Sequence, residues 1–402
     1  MNTFIGHRFE QICETYLKEQ FYNGKMPFFA ENLCRWWGKN PVLKKQEEIN
    51  LLATDDENAV ICECTFRCNL NCLHCGSDCL KTSETPDMPV KDFIEVLDDI
   101  RINYRPANLF VCITGGEPLL RTDLEEAGRQ IAERGYGWGI VTNGLLFTKE
   151  RFDSLLKAGM CSLSFSIDGF EKEHAFMRQN DVVYSKVIEG IKIITEYKRT
   201  WSRPFAFDVI TCVHKGNLAI LPKLRDYLME LGVENWRIFT IFPSGRAAKN
   251  DFSLSHEEYL QVMSFIEETC KTEKNARRRG ESYIHVSTAC EGYLGKYDNK
   301  VNDGFFSCEA GITVGSVMCD GSVTGCLSVR GDFIQGNIYK ESFVDIWNDR
   351  FQIMRDRSWT KKGSCGKCKH WKNCMGNGMH LHKDMESGPG ICNMRLLLVE
   401  KC

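Results

Sequence analysis

Several things are missing from this sequence. No apolar run approaches the ~18 residues of a membrane span. The first ten residues, Met1 to Glu10, contain no apolar stretch of the signal-peptide kind. Neither sign of charge dominates: 51 Lys and Arg face 54 Asp and Glu, for a net charge of −3. That balance gives no footprint of a nucleic-acid or polyanion binder. There is no low-complexity tract and no repeat on the scale of a solenoid. The expectation is a cytoplasmic protein with neither a membrane nor a nucleic acid as partner. Its 402 residues suit one large α/β domain with smaller modules.

Cysteine, by contrast, is in excess, with 21 residues. A chain of this length buries a full core and needs no disulfide staples. The odd count and the absent leader argue against complete pairing. Metal or cluster ligation in a reduced protein remains, together with some cysteines that are small buried hydrophobes. Cys112, Cys161 and Cys212, in apolar runs, belong to the last group.

From 57 to 245, short apolar runs at 58–64, 108–114, 138–142, 161–167, 206–213 and 236–242 alternate with amphipathic stretches. These stretches are 91–103, 122–134, 149–158, 184–199 and 218–231. Such alternation predicts βαβ units and a parallel sheet. Six repeats suit a partial (β/α)6 barrel rather than a closed eight-fold one. Residues 255–279 read as a further helix. Beyond about 287, Gly and Cys become dense and only 342–356 keeps helical periodicity. A cysteine-rich tail poor in regular elements fits a domain organised around inorganic clusters.

Cys68-x3-Cys72-x2-Cys75 directly follows the first predicted strand. Three thiolates on one tight loop can hold three irons of a 4Fe–4S cluster and leave the fourth open. A zinc loop is the alternative, but it needs a fourth ligand at finger-like spacing.

With this triplet, Thr114-Gly115-Gly116-Glu117-Pro118, Thr142-Asn143-Gly144, Ser166-Ile167-Asp168-Gly169, Asn217 and Ser244-Gly245-Arg246-Ala247 each follow a predicted strand. Taken together, the chain resembles the radical SAM superfamily. The resemblance implies reductive cleavage of S-adenosylmethionine (SAM) to a 5′-deoxyadenosyl radical that abstracts hydrogen from substrate. It implies SAM contacts from Gly115, Gly116, Glu117 and Pro118, from Asn143, Ser166 and Asp168, and from Arg178. The two glycines, lacking Cβ atoms, are expected to let the backbone approach the ligand. An external one-electron donor such as flavodoxin or ferredoxin is implied as a partner.

Residues 305–395 resemble the SPASM domain that follows the barrel in peptide-modifying relatives. Cys365, Cys368, Cys374 and Cys392 match a complete second auxiliary cluster. The first auxiliary cluster keeps Cys308 and Cys326, but Gly378 stands where the family pattern has cysteine. Cys319 is the proposed third ligand of this site, with Cys290, His380 and His382 as substitutes. Otherwise the site stays open or the cluster is absent. Leu327 stands where sulfatase-maturating relatives carry an Asp, which disfavours that activity. The stretches Gly76–Cys79 and Cys374–His380 are similar to a subgroup paired with bacteroidete lipoproteins.

The domains implied are a helical N-terminal extension over 1–56, the barrel over 57–250, a bridging helix and linker over 251–300, and the SPASM domain over 301–402. Within the extension, 5–20 reads as an amphipathic helix. Residues 35–65 also resemble a nuclease-like segment of archaeal-type ATPases, with Asn50 and Thr65 in place of its metal-binding Asp and Lys. The resemblances imply modification of a peptide or protein, with a co-encoded precursor as the expected form. An enzyme acting on a haem- or quinone-type precursor and a non-catalytic iron–sulfur or zinc protein are the alternatives.

Overall fold

The computed structural model describes residues 32–39, 46–54, 58–200, 204–301 and 308–398. The expected helix at 5–20 lies outside them. Within the extension, β1 (Asn32–Lys39) and β2 (Gln46–Thr54) pair antiparallel. Over these residues the helical description of the extension is therefore corrected to a hairpin.

Seven consecutive strands then run parallel: β3 (Asn58–Glu63), β4 (Leu109–Thr114), β5 (Gly137–Thr142), β6 (Met160–Ser166), β7 (Ala206–Val213), β8 (Asn235–Thr240) and β9 (His285–Thr288). This is the α/β partial barrel that the periodicity predicts, with one strand more. β9 lies in the segment read as a linker. Four residues are too few to display an apolar period.

The helices between the strands are α1 (Val90–Asn103), α2 (Leu124–Glu133), α3 (Lys149–Lys157), α4 (Glu171–Arg178), α5 (Val183–Thr200) and α6 (Leu221–Glu230). Their apolar faces bury residues such as Leu97, Ile131, Leu155, Ile191 and Leu224 against the sheet. The fit is close. A Cβ on Gly128 of α2 would lie 2.0 Å from the ring of the fully buried Trp138 on β5. Trp138 places its indole N–H on the Ala158 carbonyl at 3.2 Å. The long helix α7 (His256–Arg279) starts in a capping box between Ser255 and Glu258 and stops at Gly280, with φ +67°.

The C-terminal domain contributes β10 (Val314–Val317), β11 (Ser322–Thr324) and β12 (Gly336–Asn337), followed by α8 (Phe343–Arg350). β10 pairs parallel with β3, so the hairpin extends the barrel sheet to ten strands. Arg330 adds a second tie. Its guanidinium donates to Glu63 Oε1 at 2.6 Å and to Ser77 Oγ at 2.9 Å. Among the described residues, no helix is long and apolar enough to cross a membrane.

Candidate active site and cluster-binding sites

The Cys68–Cys75 loop leaves the C-terminal end of β3 and is closed at its neck, where Cys68 N–H donates to the Leu80 carbonyl at 2.7 Å. Cys68 and Cys72 are buried and Cys75 is half-buried. A clamp comes from beyond β8. Arg246 donates its backbone N–H to the Cys75 carbonyl at 2.9 Å and Nε to the Cys72 carbonyl at 2.8 Å. Its Nη1 reaches the Cys79 carbonyl at 2.9 Å and Asp78 Oδ1 at 2.8 Å. The motif holding Arg246 is visible in the sequence, but its role as loop clamp is not. Gly245 must adopt φ +54°, and a Cβ there would meet the Gly76 carbonyl at 2.4 Å.

Gly115 and Gly116 allow a close approach between two backbone segments. A Cβ on Gly115 would lie 2.3 Å from the Thr65 carbonyl, and one on Gly116 2.2 Å from the Arg67 carbonyl. Gly116 N–H donates to Thr65 and Glu117 N–H to Arg67. The direction a side chain would take is filled by the segment leading into the cysteine loop, so the glycines join two backbones. Glu117 is fully buried and engaged by Leu119 N–H, Thr142 Oγ1 and Asn143 N–H. Burial raises its carboxyl, against those three donors. Pro118 is buried and begins a short turn.

Asn143 points its amide at Cys68 Sγ (3.8 Å) and Asn69 Oδ1 (2.8 Å). Ser166 is half-buried at the end of β6. Asp168 is fully buried and engaged within the protein. It accepts from Arg178 Nε at 2.7 Å and from Cys212 N–H at 3.0 Å. Burial alone would raise its carboxyl, but Arg178 holds it well below the usual carboxylate range. Asp168 thereby fixes Arg178, whose Nη1 lies 3.8 Å from Cys72 Sγ. His74 Nε2 is 3.8 Å from the same carboxylate, and burial pulls its pKa down to about 4.

In the C-terminal domain, Cys365, Cys368, Cys374 and Cys392 line one cavity with His370, Trp371 and Arg395. Burial, followed by the neighbouring thiols of Cys392 and Cys365, pushes the Cys374 thiol up to about 12. Four soft sulfur donors around one space are a ligand set for an iron–sulfur cluster.

At the first auxiliary site the structure corrects one ligand. Cys319 is not with Cys308 and Cys326. Its thiol donates to the Pro86 carbonyl at 3.1 Å and sits beside Cys62 and Cys64. Cys290, instead, lies near Cys326 and Cys308. Burial and then the thiols of Cys326 and Cys308 raise its pKa. Its backbone is left-handed, with φ +61°, an outlier for a residue with a Cβ. Cys308 Sγ accepts from Met379 N–H at 3.3 Å. Three thiols with a backbone donor fit an iron–sulfur cluster.

The family model of the radical SAM superfamily matches residues 62–218, and that of the SPASM iron–sulfur cluster-binding domain matches 308–369. A third, of archaeal and bacterial proteins of unknown function, matches 1–73. AdoMet-dependent heme synthase of Methanosarcina barkeri is 27% identical over 330 residues, 80% of this chain and 91% of that protein. Mycofactocin maturase MftC of Mycobacterium tuberculosis is 25% identical over 332 residues, 80% and 79% of the two chains. Among solved structures, Streptococcus suis SuiB bound to S-adenosylmethionine superposes with TM-score 0.64 at 18% identity, over 83% of this chain and 76% of SuiB. Native anSMEcpe with bound AdoMet gives 0.63 at 19%, over 83% and 92%.

The chain carries a radical SAM domain and a SPASM domain. It is an enzyme of the radical SAM type, whose cofactors are 4Fe–4S clusters and SAM.

Proposed function

We propose that Cys68, Cys72 and Cys75 hold the SAM-binding cluster and that the substrate is a peptide or protein. The observation that carries the first part is the clamped loop: three thiols on a closed turn, with Arg246 holding its carbonyls and Asn143 and Arg178 directed at two of its sulfurs. Bound there, the cluster and SAM supply one-electron cleavage of the sulfonium and hydrogen-atom abstraction from substrate. The chain's own residues position the groups and exclude water. Asp168 orients Arg178, and Glu117 holds the Asn143 backbone. Cys365, Cys368, Cys374 and Cys392 hold one auxiliary cluster; Cys290, Cys308 and Cys326 hold another. A flavodoxin or ferredoxin delivers the electron.

A peptide substrate is supported by MftC, a maturase, and by the fold shared with SuiB, which has also been solved bound to precursor peptide SuiA. Leu327 beside Cys326 offers no carboxylate base, which separates this chain from the sulfatase-maturating type. The heme synthase relative favours a second reading, in which the substrate is a small cofactor precursor.

The test is anaerobic reconstitution with SAM and dithionite. Formation of 5′-deoxyadenosine, lost in Cys72→Ala, supports the first part; its absence from wild type rejects it. Incubation with short peptides encoded beside the chain, and separately with an iron porphyrin, decides the substrate. A mass change in the peptide supports our reading; one confined to the porphyrin supports the second.

A further inference from the structure

The first auxiliary site has three thiols, and Gly378 stands where a fourth cysteine is expected. The geometry points to the imidazole of His380 as the fourth protein ligand of this site. The inference rests on the reading that a cluster is held there by Cys290, Cys308 and Cys326.

The placement is local and specific. Met379 N–H donates to Cys308 Sγ at 3.3 Å, so the 378–380 segment lies directly against this thiol group. A Cβ built on Gly378 would meet His380 Cε1 at 2.6 Å and Nδ1 at 2.8 Å. The imidazole therefore occupies the space into which a residue-378 side chain would project. The opposite wall is fixed as well: the side chain of buried Asn377 packs onto Gly292, two residues from Cys290.

The two histidines of this segment are not equivalent. His382 is engaged, with Nε2 on the Gly376 carbonyl at 2.7 Å. The ring nitrogens of His380 make no hydrogen bond among the described residues. Its ring is held edge-on to Phe242 at 4.6 Å between centroids. A half-buried imidazole held in place with free nitrogens is poised to donate a lone pair. Exchanging a thiolate for a neutral imidazole makes a cluster less negative and raises its reduction potential.

The test uses the full-length chain, reconstituted anaerobically and reduced without SAM, whose amine would add its own nitrogen signal. Wild type should carry about 12 irons in three four-iron clusters and show nitrogen hyperfine coupling by pulsed electron paramagnetic resonance. His380→Cys should keep the iron, lose the coupling and shift one auxiliary potential to more negative values. His380→Ala should lose the coupling too, and His380→Cys decides the matter if that variant does not fold. About 12 irons with no coupling in wild type, or with coupling unchanged in His380→Cys, overturns the His380 assignment and leaves the cluster standing. About 8 irons in both wild type and Cys308→Ala overturns the cluster, and the assignment with it.

Discussion

Arg246 reaches across 174 residues of sequence to place its Nε 2.8 Å from the Cys72 carbonyl. Its guanidinium also holds Cys79 and Asp78, and its backbone holds Cys75. The loop of the sulfur ligands is thus shaped from the far side of the barrel. Arg246→Ala should release it. Charge-assisted hydrogen bonds are worth roughly 1.5–3 kcal/mol each, so the expected cost is a fall in melting temperature and a loss of about 4 irons on reconstitution. Iron analysis that leaves all clusters intact would reject the clamp.

Gly116→Ala places a methyl 2.2 Å from the Arg67 carbonyl, which is backbone and cannot swing aside. The two strand ends must separate. Overpacking of this kind costs typically 1–3 kcal/mol. The expected result is reduced stability together with at least a tenfold loss of 5′-deoxyadenosine formation. A variant that is destabilised but fully active would show that the strand junction does not shape the site.

Asp168→Asn keeps the shape but removes the charge that orients Arg178. SAM affinity should fall several-fold while iron content stays the same, as read by calorimetry and iron analysis. The pH dependence has a defined sign. A carboxyl held below its ordinary range stabilises the fold fully above its unfolded pKa, near 3.9, and loses that contribution as pH falls further. The stability gap between wild type and Asp168→Asn should be full at pH 7 and shrink below about pH 4.

Arg330→Ala strands Glu63, whose side chain is 1% exposed and ion-paired with Arg330. Burial already pushes that carboxyl upward, against Arg330. Because Arg330 is 29% exposed, its removal is expected to cost about 1–3 kcal/mol, the penalty of leaving a buried acceptor unpaired. Chemical denaturation should report a loss of that size, and Arg330→Ala/Glu63→Gln should recover much of it.

The barrel was legible because its strands and helices repeat two clean periods, as over Leu109–Thr114 and Val90–Asn103. The Cys68, Cys72 and Cys75 triplet was legible because its three cysteines are close in sequence. The first auxiliary site was legible only in part, with Cys308 and Cys326 placed and Cys290 named only as a substitute. Cys290 is 18 residues before Cys308, in an irregular segment, and nothing local marks it. Cys319 looked suitable because it leads into the Cys326 hairpin, but in the fold its thiol turns to Pro86. The glycine pair was recognised, while its partner, the neighbouring backbone, could be seen only once the chain was folded. The hairpin at 32–54 was missed because the aromatic and turn residues around Trp36 and Trp37 obscured its alternation.

The parallel pairing of Val314–Val317 with Ala59–Cys62 has a practical consequence. Cutting the chain near residue 301 would not yield an isolated barrel. It would bare one flank of the first barrel strand, a row of unpaired amides and carbonyls beside apolar Val60 and Ile61. Such a fragment is an aggregation template, and expression trials that trim the cysteine-rich end should return insoluble protein. The same ladder joins the cysteine-rich domain to the barrel through backbone hydrogen bonds along this seam.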